Sequence, residues 1–222
     1  MIRLVILDFD GTLGDTRMNI VLTMKQTIAR LGLPAAREEE IAATIGLPLE
    51  AGFEQLFPGL SPERALEGAA TYRALFEKNR KSLVPKLFPQ VKETLAALKQ
   101  KGYVLTVASS RRSPSLNEFL REMEIAEYIT YVLGADNVTR AKPDPEPVLK
   151  TLADLGYTAD ETLVVGDMRV DIQMGQGAGA HTCAVTYGNA SRADLASVSP
   201  DYIIDTFSEL VAILSSEGAK TA

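Results

Sequence analysis

Near its first residue the chain runs four apolar side chains, Leu4 to Leu7, straight into Asp8 and Asp10, with only Phe9 between the two carboxylates (LVILDFDGTL). A strand with one wet face would alternate apolar and polar residues. An unbroken run therefore reads as a strand covered on both faces, as in a parallel sheet packed between helices. Paired charge at the end of such a strand either emerges into solvent or is delivered to a site, and the rest of the chain has to decide.

The same pattern recurs in YVLTVAS at 103–109, YVLG at 131–134, TLVVGD at 162–167 and TCAVTYG at 182–188. Helical segments lie between these runs. PQVKETLAALKQKG at 89–102 begins at Pro89, sets Val91, Leu95 and Leu98 on one face and stops at Gly102. SPSLNEFLREME offers Ser113 as cap and Pro114 at the first helical position, and DPEPVLKTLADLG repeats that logic with Asp144, Pro145 and Gly156. Strand alternates with helix, which predicts an α/β fold with a doubly wound, mostly parallel, Rossmann-like sheet. DYIIDTFSELVAIL predicts a last short strand and a closing helix, and SSEGAKTA a frayed tail.

One interval breaks the rhythm. Asp8 and Ser109 are 101 residues apart, whereas Ser109 to Lys142 takes 33 and Lys142 to Asp167 takes 25. A crossover needs only about 30 residues, so roughly 70 are surplus. Residues 16–84 have helical composition and read as a small α-helical cap domain inserted after the first strand, with 1–15 and 85–222 forming the catalytic core.

Composition narrows the partners. A net charge of −6 advertises no basic face for nucleic acid. No apolar run approaches the roughly 18 residues that span a bilayer, and Asp8 and Asp10 interrupt any signal-peptide pattern. The single cysteine, Cys183, leaves no internal disulfide and fits a reducing compartment. The expectation is a cytoplasmic monomer or weak homodimer that binds neither nucleic acid nor membrane.

In an open parallel sheet the ligand crevice lies outside the carboxyl ends of the strands. Asp8 and Asp10, Ser109, Lys142 and Asp167 all follow strand ends, so four strands aim polar side chains at one edge. Asp8, Asp10, Asp167 and Asp171 converge there, and like carboxylates at close range need a cation. An all-oxygen set that also admits a phosphate suits Mg²⁺. Lys142 and the Ser109 hydroxyl supply a positive charge and a donor for phosphoryl oxygens. One aspartate can attack phosphorus as a nucleophile, and a second, two residues on, can serve as general acid and then base.

DFDGTL at 8–13, VASS at 107–110, AKPDPE at 141–146 and GDMRVD at 166–171 resemble, in order, the four motifs of the haloacid dehalogenase-like hydrolase superfamily. The resemblance spans the whole chain, cap included, and is nearest to the phosphoglycolate-phosphatase-like branch. It implies Asp8 as nucleophile and Asp10 as acid/base. It also implies phosphate contacts from Ser109 and Lys142, with Ser110 and Thr12 beside them. Mg²⁺ would be held by Asp8, the Asp10 backbone carbonyl and Asp167, with Asp171 supporting the shell. The implied activity is hydrolysis of small phosphorylated metabolites, phosphoglycolate among the candidates. A sugar phosphomutase is an alternative, although the position where those relatives carry a histidine is Ile20. A metal-free dehalogenase lacks the second aspartate, here Asp10. Phosphonate cleavage would need a cap lysine, for which Lys25, Lys78, Lys81 and Lys86 are available.

Other features read as structural. GQGAGA at 175–180 satisfies a dinucleotide fingerprint, but it closes a helix instead of opening one. His181 and Cys183 sit in the strand that follows. Within the cap, Arg17 can either reach a substrate carboxylate or stand solvated, IGLPLEAGF at 45–53 can form a loop dipping toward the site, and Tyr72 and Arg73 read as part of a charged helix face.

Overall fold

The computed structural model describes residues 1–80 and 85–219. Strand β1 (Leu4–Leu7) leads through a tight turn into a two-residue strand β2 (Gly14–Asp15) and helices α1 (Arg17–Arg30), α2 (Glu38–Ala42), α3 (Leu49–Leu56) and α4 (Pro62–Asn79). The chain returns through β3 (Lys86–Leu87), and the two stems of this helical insertion pair antiparallel, Gly14 opposite Leu87 and Asp15 opposite Lys86. Alternation then sets in: α5 (Val91–Gln100), β4 (Val104–Ala108), α6 (Ser113–Glu122), β5 (Tyr131–Leu133), α7 (Glu146–Leu155), β6 (Thr162–Gly166), α8 (Arg169–Gly177), β7 (His181–Val185), α9 (Arg192–Ala196), β8 (Tyr202–Ile204) and α10 (Leu210–Ala219).

Six strands form one parallel sheet in the order β5-β4-β1-β6-β7-β8. The chain winds from β1 outward through β4 to β5, then crosses back to β6 and winds the other way. The switch point therefore falls between β1 and β6, where such sheets bind ligands. Within β1, Val5 and Leu7 pack toward Leu95, Leu98, Phe119 and Leu210, while Leu4 and Ile6 pack toward Val148 and Met174. Both faces are dry, which is why the run at 4–7 shows no alternation.

Several element ends differ from expectation. Helix α5 starts at Val91, because Gln90 takes a left-handed conformation (φ 63°). Ser113 does not cap α6. It lies inside the helix, and its backbone N–H donates to the Asp136 carboxylate at 2.7 Å, an acceptor brought from the loop after β5. Of the stretch read as a frayed tail, 215–219 continues α10, and 220–222 lie outside the described residues. The end of the expected insertion, residues 81–84 with Lys81 among them, lies outside the described residues. No described helix is long and apolar enough to cross a membrane.

Candidate active site

The turn after β1 is built for close approach. The Phe9 carbonyl accepts from the backbone N–H groups of Thr12, Leu13 and Gly14, folding the chain back within five residues. Gly11 sits at φ +92°, and a Cβ there would lie 2.2 Å from Asp167 Oδ2. Gly188 has the same function on the other side, since its Cβ would lie 2.3 Å from Asp167 Cβ. Glycine at both positions lets Asp167 drop between two backbone segments.

Asp8, Asp167 and Asp171 form one buried group, with a carboxylate oxygen of each lying within 4.8 Å of the others. Lys142 Nζ, also buried, donates to Asp8 at 2.6 Å and to Asp171 at 2.7 Å. The loop that presents this lysine is pinned by Glu146, which accepts from the backbone N–H groups of Thr139 at 2.7 Å and Arg140 at 2.9 Å. Asp167 accepts from Thr12 Oγ1 at 3.2 Å and from Asn189 through its backbone N–H (2.7 Å) and its side chain (2.9 Å). One lysine among three buried carboxylates leaves negative charge uncompensated. An all-oxygen set of this kind fits a hard divalent cation.

The electrostatics carry the same imbalance. Burial raises the Asp8 carboxyl well above its ordinary range, with Lys142 opposing and the neighbouring aspartates adding to the rise. Burial, reinforced by Asp171, pushes Asp167 up to about 7, against the hydrogen bonds from Asn189 and Thr12. Lys142 moves further up because Asp171 and Asp8 outweigh its burial. With no cation bound, the folded protein thus holds more protons than the unfolded chain between the ordinary Asp value of 3.8 and about 7, so stability falls as pH rises through that interval. Urea unfolding in EDTA at pH 5 to 7 is expected to show that decline, and Asp167→Asn to remove part of it. An unchanged slope in the variant would show that Asp167 is already ionised.

Asp10 does not join the three-carboxylate group, which corrects the expected convergence of four. Its carboxylate turns the other way, toward Arg111, whose Nη2 lies 2.5 Å from Oδ1 and whose Nε lies 3.2 Å from Oδ2. Thr16 Oγ1 donates to Oδ1 at 2.7 Å. The Arg111 guanidinium is itself held 4.7 Å from the Phe76 ring centroid and 4.8 Å from that of Phe119. Neither Arg111 nor Asn189 figured among the candidates from sequence. Arg111 had a visible signal, the basic pair directly after the strand end in VASSRR. Asn189 had none.

A cavity of about 360 Å³ opens between the sheet edge and the helical segment, with Asp8, Asp10, Ser109 and Ser110 on its floor. Ser109 Oγ accepts from the Arg111 backbone N–H at 3.1 Å. Ser110 Oγ donates to the Gly46 carbonyl at 2.6 Å, tying the floor to the 45–53 stretch, which lines the cavity but is loop only as far as Pro48, since α3 begins at Leu49. Tyr72 and Arg73 also line it, and Tyr72 is buried, so this stretch of α4 is not the solvated face expected. Thr12 is fully buried and faces Asp167, not the cavity. Arg17 is exposed at the start of α1 and contributes nothing to the lining. Lys25, Lys78 and Lys86 are absent from the lining as well. His181 begins β7, at the sheet edge opposite the site, and Cys183 is buried within that strand. The stretch 175–180 closes α8 and precedes β7, as read from sequence.

Residues 5–185 match the haloacid dehalogenase-like hydrolase family, and the chain belongs to it. It is 40% identical over 210 residues to a Dickeya dadantii protein named "Probable phosphatase IndB", covering 94% of this chain and 91% of that one. It is 32% identical over 216 residues to a phosphoglycolate phosphatase of Photorhabdus laumondii, covering 96% and 92%. The fold matches that of a haloacid dehalogenase-like family hydrolase from Streptococcus pneumoniae with a TM-score of 0.85 at 25% identity, over 96% of this chain and 98% of that one. The protein is a haloacid dehalogenase-like phosphatase.

Proposed function

We propose that this phosphatase hydrolyses small phosphomonoesters with Mg²⁺ through an aspartyl-phosphate, with residues 16–84 acting as a cap over the site. The observation that carries the reading is the position of Asp8. It is buried at the end of β1, held by Lys142, beside Asp167 and Asp171, and open to the cavity floor.

Asp8, Asp167 and Asp171 would hold the ion, with the Asp10 backbone carbonyl as the further donor that the family resemblance implies. The chemistry such an ion supplies is neutralisation of charge on the phosphoryl oxygens and on the attacking carboxylate. Lys142 and Ser109 orient the phosphoryl group by donating to its oxygens. A carboxylate oxygen of Asp8 attacks phosphorus, the ester oxygen leaves and takes a proton from Asp10, and the acyl-phosphate remains on Asp8. Asp10, now ionised, removes a proton from water as that water attacks phosphorus, which releases phosphate and restores Asp8. Arg111 and Thr16 hold Asp10 in place, and Asn189 and Thr12 hold Asp167. Phosphoglycolate, which gives its name to one relative, is one member of the substrate class. Ile20 in the cavity wall, and the absence of lysine from that wall among the described residues, favour hydrolysis over mutase or phosphonate chemistry.

Purified protein is expected to release phosphate from p-nitrophenyl phosphate in Mg²⁺, to lose that activity in excess EDTA and to regain it when Mg²⁺ is restored. Ca²⁺ is expected not to substitute, since its longer bonds and looser shell misplace nucleophile and phosphate. Undiminished turnover in EDTA would overturn the metal's part, and no phosphate release from any monoester would overturn the phosphatase reading.

A further inference from the structure

The cavity's wall differs in character from its floor, and we infer from it that the preferred substrates are phosphomonoesters whose alcohol part is uncharged, largely apolar and larger than glycolate. This inference rests on the phosphatase reading above and narrows it.

Charge comes first. Three arginines and no lysine line the cavity among the described residues. Arg111 is bound by both oxygens of Asp10. Arg73 is paired with Glu50 at 2.9 Å, and Glu50 is itself a lining residue. Only Arg112 lacks an ion pair among the described residues, and it stands exposed at the rim. Glu77, exposed and paired with Arg80 at 2.9 Å, adds a further carboxylate at the edge of the wall. A substrate carboxylate beyond the phosphate would meet two glutamates and no free deep cation. Placing it there would mean competing with Glu50 for Arg73, in a pair that already stands partly in solvent, so the carboxylate gains little for the water it loses.

Shape and polarity point the same way. Ile20, Met24, Leu47, Pro48, Leu49 and Phe76 make most of the wall apolar. Leu47 is the most telling of them. It is half-buried, yet it does not pack into the hydrophobic core that takes up Leu49, so its side chain serves the cavity. At about 30 Å³ per water, 360 Å³ corresponds to about a dozen waters. A two-carbon acid would leave most of that space filled with water against apolar side chains. A longer apolar group displaces that water and gains the transfer free energy of each buried methylene.

The test is a homologous series of n-alkyl phosphates, ethyl to hexyl, assayed with phosphoglycolate on wild-type protein in Mg²⁺. kcat/KM is expected to rise about fourfold per methylene while the chain remains inside the cavity. Phosphoglycolate is expected to fall below butyl phosphate. Leu47→Arg, which puts a cation on the wall without disturbing the core, is expected to flatten the series and raise phosphoglycolate relative to butyl phosphate. A flat wild-type series, or phosphoglycolate ahead of butyl phosphate, overturns the inference while the phosphatase reading stands. Release of phosphate from none of these esters nor from p-nitrophenyl phosphate overturns both.

Discussion

Asp8→Asn is expected to lower turnover by at least about a thousandfold, because an amide oxygen cannot form the acyl-phosphate and no other carboxylate reaches the same position. Asp167 and Asp171 are held in place by Asn189, Thr12 and Lys142, and Asp10 by Arg111. The substitution keeps side-chain shape, removes one of the crowded buried charges and leaves Lys142 paired with Asp171, so folding is not the variable. Circular dichroism and the urea midpoint are expected to match wild type or exceed it. Rapid acid quench of wild type with labelled substrate is expected to trap a base-labile phosphoenzyme that the variant lacks. Retention of more than a few per cent of activity by a folded Asp8→Asn protein would remove Asp8 as nucleophile.

Lys142→Met has a large effect of a different kind, since it should cost both stability and rate. Taking away one partner of a buried ion pair typically costs about 3–5 kcal/mol, and here two carboxylates, Asp8 and Asp171, lose the same ammonium. Lys142 is the partner that lowers the Asp8 carboxyl, so without it that group rises further and takes up a proton on folding over a wider pH interval. A carboxyl with a raised folded-state value binds more protons folded than unfolded, which makes the penalty smaller at low pH. The stability gap between wild type and variant in EDTA is therefore expected to be wider at pH 8 than at pH 5. Rate should fall by about 10²- to 10³-fold for loss of a charged donor to the transferring group. A gap below about 1 kcal/mol at pH 8 would mean that the carboxylates have found another partner.

The sheet was legible because its inner strands β1, β4, β6 and β7 are buried along nearly their whole length, so their sequences are mostly apolar runs that need no knowledge of their neighbours. The polar residues that end those runs were legible for the same reason, and Asp8, Ser109, Lys142 and Asp167 do reach one edge. What escaped depends on loops whose paths are set by tertiary contacts. Asn189 follows β7 by four residues and meets Asp167 only because the turn at Gly188 comes that close. Arg17 misled by proximity along the chain. It lies seven residues after Asp10, but α1 buries the face carrying Val21, Met24 and Ile28 and leaves Arg17 in solvent. Tyr72 was recoverable, since Ala65, Gly68, Ala69, Tyr72 and Phe76 form a buried stripe along α4, and the charges interleaved with it drew more weight than the spacing.

The packing of Arg111 limits how freely this architecture can be recombined. Its guanidinium holds Asp10 while resting against Phe119 on α6 and Phe76 on α4, two rings whose centroids stand 6.1 Å apart, edge to face. Contacts of this type are worth about 0.5–2 kcal/mol, comparable with the differences that separate one side-chain orientation from another. An exchange of the helical segment would thus carry with it one of the two rings that seat Arg111 against Asp10. A graft lacking an aromatic ring at position 76 should loosen Asp10 and alter the cavity wall at the same time, so that rate and preference change together. Leu47 and Ile20 can be replaced without touching this contact, whereas positions 76, 111 and 119 have to change together for it to survive.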